Sequence, residues 1–230
     1  MNNLIIVSAN AEWRVVDEYY KHSVNLKTPF GEAIEVNVAG QLTVFIKGGW
    51  GKVSAAASAQ YAVQRWAPDL LINLGTCGGL ANCVEKGDVI LAEETIIYDI
   101  YEAMGDPQQA INFYSTQIDL GWLPDPLPGA LPFPVIRTRL VSADRDIFPS
   151  EVHMLQDRFG AVAADWESGA IAWVAARNGI RCLILRGVTD MVYPEGGEAY
   201  GQLEVFHTGT QSVMQKMLDA LPTLLTHLRD

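Results

Sequence analysis

Apolar and polar positions along the chain follow two alternating rhythms. Leu4-Ile5-Ile6-Val7 is a short unbroken apolar run, the pattern of a strand buried on both faces. Residues 11–22 then place Trp13, Val15, Val16, Tyr19 and Tyr20 at helical spacing. Residues 33–47 alternate about Gly40, with Ile34, Val36 and Val38 before it and Leu42, Val44 and Ile46 after it, which predicts two strands joined by a turn. Gly48-Gly49-Trp50-Gly51 breaks the chain, and Lys52 to Ala67 reads as an alanine-rich helix stopped by Pro68. Leu70 to Leu74 is another buried strand, read as ending in Gly75-Thr76-Cys77-Gly78-Gly79, and Gly87 to Leu91 begins a further one. Later elements are a strand over Val135–Val141, a helix over Asp165–Asn178, a strand over Arg181–Val188 and an amphipathic helix over Gln211–Leu228. Residues 105–135 are the least regular stretch. Pro124, Pro126, Pro128, Pro132 and Pro134 crowd its second half, which predicts a long loop or flap inside the domain.

Strands alternating with helices, and no clear linker, predict an α/β protein: a single-domain three-layer α/β/α sandwich over residues 1–230 with a mixed central sheet. In such folds ligands bind at the carboxyl ends of strands. Composition narrows the partners. A chain of 230 residues with 49% hydrophobic and 19% charged residues is not a disordered one. Its 27 acidic against 16 basic residues give a net charge of −11, which disfavours nucleic acid and anionic membranes and is compatible with a neutral or cationic small molecule. Cys77, Cys83 and Cys182 show neither zinc-type spacing nor a disulfide framework. The amino terminus lacks a signal-peptide pattern, and no apolar run reaches 18 residues, so the expectation is a cytoplasmic location.

Polar residues at four expected strand ends are the candidate chemistry: Asn10-Ala11-Glu12, Gly75-Thr76-Cys77-Gly78-Gly79, Asp165-Trp166-Glu167 and Arg186-Gly187-Val188-Thr189-Asp190. Glu12 and Glu167 each fall at a helix start, where a carboxylate also opposes the macrodipole, and Asp190 suits a turn or cap. Three such carboxylates in one α/β domain suggest acid and base functions in one site. Gly49-Trp50-Gly51-Lys52-Val53-Ser54 comes near a dinucleotide fingerprint but has Ser for its third Gly or Ala and does not sit at the first βα turn. The simpler reading is a tight turn that lets backbone approach a ligand. The sequence has no nucleophile elbow, no Walker A loop and no His-Glu-x-x-His, and its four histidines are scattered. Neither a metal nor an organic cofactor is expected.

Five ordered blocks make the chain similar to the nucleoside phosphorylase/nucleosidase superfamily, and most like the methylthioadenosine/S-adenosylhomocysteine nucleosidases. They are Gly49-Trp50-Gly51-Lys52-Val53, Asn73 to Leu80, Gly87-Asp88-Val89, Asp165 to Ala172 and Arg186 to Asp190. The resemblance implies hydrolysis of the N-glycosidic bond of a purine nucleoside. It makes Glu12 the base that activates water, Asp190 the acid that protonates the leaving purine at N7, and Glu167 the carboxylate that grips the ribose hydroxyls. Arg186 and Thr76 would position the water, Trp166 would lie beside the ribose, and Thr189 would be the neighbour of the acid. Gly78, Ile147, Phe148, Trp50 and Phe206 complete the implied substrate-binding set. The family's stacking aromatic falls near Asp146 by simple alignment, so Phe148 is expected to replace it or stacking is lost. Trp50 stands where the methylthioadenosine enzymes carry a smaller aliphatic residue. The family's hexameric phosphorylases carry Gly-Asp-Pro with a nearby Arg where this chain has Ser8-Ala9-Asn10-Ala11-Glu12-Trp13, and an Arg where it has Asn73 and Leu74; this favours a hydrolase. Phosphorylase, futalosine hydrolase and non-catalytic nucleoside binder are the alternatives. A homodimer is expected, with Tyr61, Trp66 and Tyr101 as candidates for an apolar patch.

Overall fold

The computed structural model describes residues 2–21, 23–123 and 131–228. In chain order the elements are β1 (Asn3–Val7), α1 (Asn10–Tyr19), β2 (Val24–Thr28), β3 (Gly31–Val38), β4 (Gln41–Lys47), α2 (Gly51–Trp66), β5 (Leu70–Leu80), β6 (Val89–Ile97), α3 (Pro107–Tyr114), β7 (Thr116–Gln117), β8 (Ile136–Ser142), α4 (Val152–Phe159), β9 (Ala161–Asp165), α5 (Ser168–Arg177), β10 (Arg181–Tyr193), β11 (Gly196–Gly197) and α6 (Leu203–His227). All strands belong to one mixed sheet.

Side-chain alternation along the strands builds the layers. Leu4 and Ile6 of β1 pack with α2 and α5 on one face, whereas Ile5 and Val7 pack with α1 and α6 on the other. Both faces are therefore apolar, as the unbroken run of β1 predicts, and the three-layer α/β/α arrangement with a mixed sheet is the observed one. α2 ends because Ala67 adopts a left-handed conformation (φ 42°) ahead of Pro68.

The sheet has a further property. β1, β4, β5 and β10 run parallel, and so do β6, β8 and β9, but the second group opposes the first. β10 pairs with both β5 and β6, and β9 pairs with β5. The five strands β5, β10, β6, β8 and β9 thus close a ring, from which β1, β4, β3 and β2 extend.

Several sequence expectations need correction. β5 does not end at Leu74: its glycines lie inside the strand, and Gly75 to Gly79 pair with Arg186 to Met191 of a β10 that continues to Tyr193. These glycines allow close approach rather than a turn. A Cβ on Gly75 would lie 2.0 Å from Arg186 Nη1 and 2.8 Å from Glu12 Oε1. The start of the irregular stretch holds α3, capped by the Asp106 side chain on Gln108 N–H (2.9 Å), and the short strand β7. Pro124, Pro126 and Pro128 lie outside the described residues. α6 begins at Leu203 rather than Gln211. Its first turns contain Val205, Thr208 and Gly209, poor helix formers, and Gly209 brings the helix against the Thr189 carbonyl, 2.7 Å from where its Cβ would be. Tyr61 and Trp66 pack on one another and, through Tyr61, on Phe30, and both are partly buried; Tyr101 is 90% exposed. Among the described residues no helix is long and apolar enough to cross a membrane.

Candidate active site

A cavity of about 490 Å³ opens where the two opposed sets of strands meet, the kind of switch point at which open sheets place ligands. Its wall includes Glu12, Thr76, Gly78, Ile147, Trp166, Glu167, Thr189, Asp190, Trp50 and Phe206, all expected from the sequence. Arg186 and Phe148, also expected, do not line it.

Arg186 lies beneath the cavity floor with no exposed surface. Its Nε donates to Ser168 Oγ (2.8 Å), Nη2 to Asn73 Oδ1 (2.7 Å) and Nη1 to the Thr76 carbonyl (3.3 Å). Three carboxylates surround it: Asp165 at 2.8 Å, and Glu12 and Glu167 at 3.6 Å each. Burial opposes the guanidinium charge, but Asp165, Glu12 and Glu167 outweigh it and raise its pKa. All of its nitrogens thus face protein acceptors beneath the cavity wall.

Glu12 is held from both sides. One carboxylate oxygen accepts the N–H groups of Ala9 (2.9 Å) and Ser8 (3.2 Å) at the start of α1. The other accepts Thr76 N–H (2.6 Å) and Thr76 Oγ1 (2.8 Å). The helix-start role and the cavity role are thus one arrangement, and the carboxylate enters the cavity in a single orientation.

Glu167 stands between β9 and α5, with Gly51 N–H donating to its Oε1 (3.1 Å). The glycine turn before α2 serves this contact: Gly49 and Gly51 take positive φ (80° and 76°), turning the Gly51 amide onto the carboxylate. Burial pushes the Glu167 pKa up to about 8, with Asp165 and Glu12 adding to the rise while Arg186 and the Gly51 amide oppose it.

Asp190 sits past a β-bulge. Val188 pairs with Cys77 and Asp190 with Gly78, so Thr189 is the extra residue. Thr189 Oγ1 donates to Asp190 Oδ1 (2.6 Å). Burial raises the Asp190 pKa, assisted by the charges of Glu198 and Asp146, against the Thr189 hydrogen bond and Lys86. The carboxyl is thereby biased toward its protonated form.

The other end of the cavity comes from loops. Arg145, Asp146 and Ile147 follow β8, and Ile147 Cδ1 lies 3.5 Å from where a Gly78 Cβ would be. Phe148 is turned outward, 52% exposed, under the Arg145 guanidinium at 4.5 Å, which explains its absence from the wall. Trp50 stacks on Trp166 with ring centroids 5.8 Å apart and is 71% exposed at the cavity mouth.

Sequence reasoning quoted Asp165 without giving it a role and did not single out Tyr200. Asp165 is the nearest carboxylate to Arg186 and accepts Ser142 Oγ (2.5 Å) and Ser168 N–H (3.1 Å). The signal was available, since Asp165 adjoins Trp166 and Glu167 in one quoted block. Tyr200 had no such signal, because it lies beyond every block. Among the described residues no group of three or more His, Cys, Asp or Glu could hold a metal ion, and Cys77, Cys83 and Cys182 are free thiols.

Comparison with known proteins gives the same picture at the level of the whole chain. It is 26% identical over 227 residues to the 5′-methylthioadenosine/S-adenosylhomocysteine nucleosidase of Tolumonas auensis, covering 94% of this chain and 98% of that protein. Against the nucleosidase of the same name from Bacillus thuringiensis it is 22% identical over 210 residues, 88% of this chain and 91% of the relative. Among solved structures it superposes on the Neisseria meningitidis nucleosidase in complex with methylthio-immucillin-A, with a TM-score of 0.78 and 22% identity, covering 97% and 98% of the two chains. The Helicobacter pylori nucleosidase with butyl-thio-DADMe-Immucillin-A gives 0.80 at 14% identity, over 96% and 97%. The model of the phosphorylase superfamily matches residues 4–226, from β1 to the last turn of α6 and across the whole cavity, and the chain belongs to that superfamily.

Proposed function

We propose that this chain hydrolyses the N-glycosidic bond of a purine nucleoside of the 5′-methylthioadenosine/S-adenosylhomocysteine class and releases the free base. The observation that carries the proposal is a single cavity presenting a buried carboxyl group with raised pKa, Asp190, together with the carboxyl groups of Glu12 and Glu167. Cleavage of such a bond develops positive charge on the sugar and negative charge on the leaving base. Asp190, biased toward its protonated form, gives a proton to the purine at N7. Glu167 faces the ribose, and in its ionised form, reached as pH rises through about 8, it accepts the hydroxyls and stabilises the cationic sugar. Glu12, fixed by Thr76 and the start of α1, takes a proton from the attacking water.

Water rather than phosphate is the acceptor in this reading. Five acidic residues line the cavity, Glu12, Asp146, Asp165, Glu167 and Asp190, against one cation, Arg145, which is paired with Glu151 at 2.8 Å. Arg186 is enclosed by acceptors and is not available to an anion. The wide exposure of Val53 (82%), Tyr101 (90%) and Met104 (97%), with Trp50 at the cavity mouth, supports a C2 homodimer, and the absence of an apolar spanning helix among the described residues accords with a cytoplasmic enzyme. Incubation with a panel of purine nucleosides, with and without phosphate, tests the reading. Free sugar formed without phosphate supports it; sugar 1-phosphate means a phosphorylase, and binding without product means a binder.

A further inference from the structure

The geometry points to Tyr200 as the aromatic wall of the base-binding end of the cavity, supplied by the hairpin after β10 rather than by the loop after β8. This rests on the nucleosidase reading. Four aromatic residues line the cavity among the described residues: Trp50, Trp166, Tyr200 and Phe206. Trp50 and Trp166 stack on one another beside Glu167, and Phe148 is turned out. Tyr200 lies at the other end, where its hydroxyl donates to the Ile147 carbonyl (2.5 Å). One face of its ring rests on Gly197: a Cβ there would meet three ring atoms at 2.7–2.8 Å, so only glycine admits this packing. With 39% of its surface exposed and the ring in the cavity wall, the opposite face is left for a ligand.

The hairpin is anchored where it must be to hold that ring near Asp190. Val192 pairs with Gly197, and Glu198 N–H donates to the Met191 carbonyl (3.0 Å). The Glu198 carboxylate accepts Met191 N–H (3.0 Å) and is bridged by Lys86 (3.1 Å). The residue next to Asp190 is therefore clamped to the residue two before Tyr200. Burial also raises the Tyr200 pKa, which keeps the hydroxyl a donor to Ile147.

Binding of adenine alone, measured by calorimetry, separates Tyr200 from the chemistry. Stacking on an aromatic ring is worth about tenfold in affinity or more. Tyr200→Leu, which fills volume without a π face, should weaken adenine at least about tenfold and raise KM for 5′-methylthioadenosine by a similar factor, with kcat changed less. Tyr200→Phe keeps the ring and loses only the tie to Ile147, and should stay within about threefold of wild type. Adenine affinity unchanged in Tyr200→Leu, or Tyr200→Phe as weak as Tyr200→Leu, overturns the inference, as does a wild-type protein that binds no adenine. A wild type that binds adenine in a Tyr200-dependent way yet turns over no nucleoside keeps the inference and sinks the hydrolase reading. Matching thermal melts show that the variants are folded.

Discussion

Arg186 and Arg145 serve the same cavity from opposite ends, and their surroundings differ in kind. Arg186 has no exposed surface, and its nitrogens face three carboxylates, an amide, a hydroxyl and a carbonyl. Its partners come from β5, β9, α1 and α5 and, for Glu167, from the junction between β9 and α5, so regular elements or their ends hold every one of them. Arg145 is partly exposed, pairs among the described residues with Glu151, and lies over the rings of Phe148 and Tyr98 at 4.5 and 5.1 Å. Its segment is a loop, and its neighbour Tyr200 sits on a hairpin. The floor is thus fixed by the fold itself, whereas the Arg145 end depends on a few loop contacts that can vary without disturbing the sheet. On this contrast, changes at the floor should cost stability and chemistry together, and changes at the rim should move affinity and selectivity.

The largest effect is expected from Arg186→Met. It leaves Asp165, Glu12 and Glu167 buried together without their cation, and the loss from breaking such a cluster is about 3–5 kcal/mol. Urea unfolding at neutral pH measures it, and an unfolding midpoint equal to wild type would mean that the cluster does not depend on the guanidinium. Next is Asp190→Asn, which should lower kcat by about 10²–10⁴-fold while the thermal midpoint holds or rises. A variant with near wild-type turnover would remove Asp190 from the mechanism.

Glu167→Gln probes both properties at once. Folding raises the Glu167 pKa from 4.5 to about 8, so its contribution to stability is full below about pH 4.5 and is lost as pH rises through 8. The neutral amide should therefore flatten the fall of wild-type stability over that window, followed by denaturation at a series of pH values; a fall of the same slope in both proteins would contradict the assignment. Above pH 8, where the carboxyl is ionised, the same variant should lose more activity on ribonucleosides than on 2′-deoxynucleosides, by about 1.5–3 kcal/mol, the worth of a charged hydrogen bond. Equal losses on the two substrate types would place the carboxylate away from the ribose hydroxyls.

The smallest effect belongs to the rim. Trp50 is mostly exposed and leans on Trp166, so Trp50→Ile should shift the kcat/KM ratio between 5′-methylthioadenosine and S-adenosylhomocysteine toward the bulkier substrate by about fivefold, near the low end of overpacking costs. An unchanged ratio removes Trp50 from specificity.

The floor was largely legible in the chain because its residues fall in contiguous blocks. Asp165 to Glu167 and Arg186 to Asp190 each join a strand to cavity residues. Apolar pattern locates β1, β4 and most of α6, and the alanine-rich run between the glycine break and Pro68 locates α2. The glycines of β5 misled, since inside a strand they carry the same local signal as in a turn; Gly75 makes room for the Arg186 side chain and Gly79 for Met191 and Val188, all more than 100 residues away in sequence, which no local window contains. β9 (AVAAD) is short and alanine-rich, with no alternation to mark it. The first turns of α6 have poor intrinsic helicity and are held by packing against Thr189.

Local pattern and residue type therefore determined the α/β layering, the acidic character of the site and the identity of its main carboxyl groups, because each depends on neighbours a few positions apart. Tertiary structure alone decided that β5, β10, β6, β8 and β9 close a ring, that Arg186 lies under the cavity rather than in it, that Phe148 turns away, and that Tyr200 enters the wall. Those outcomes follow from strand pairing between distant segments and from which side chain reaches a limited volume first. Both are properties of the assembled chain and have no period along the sequence.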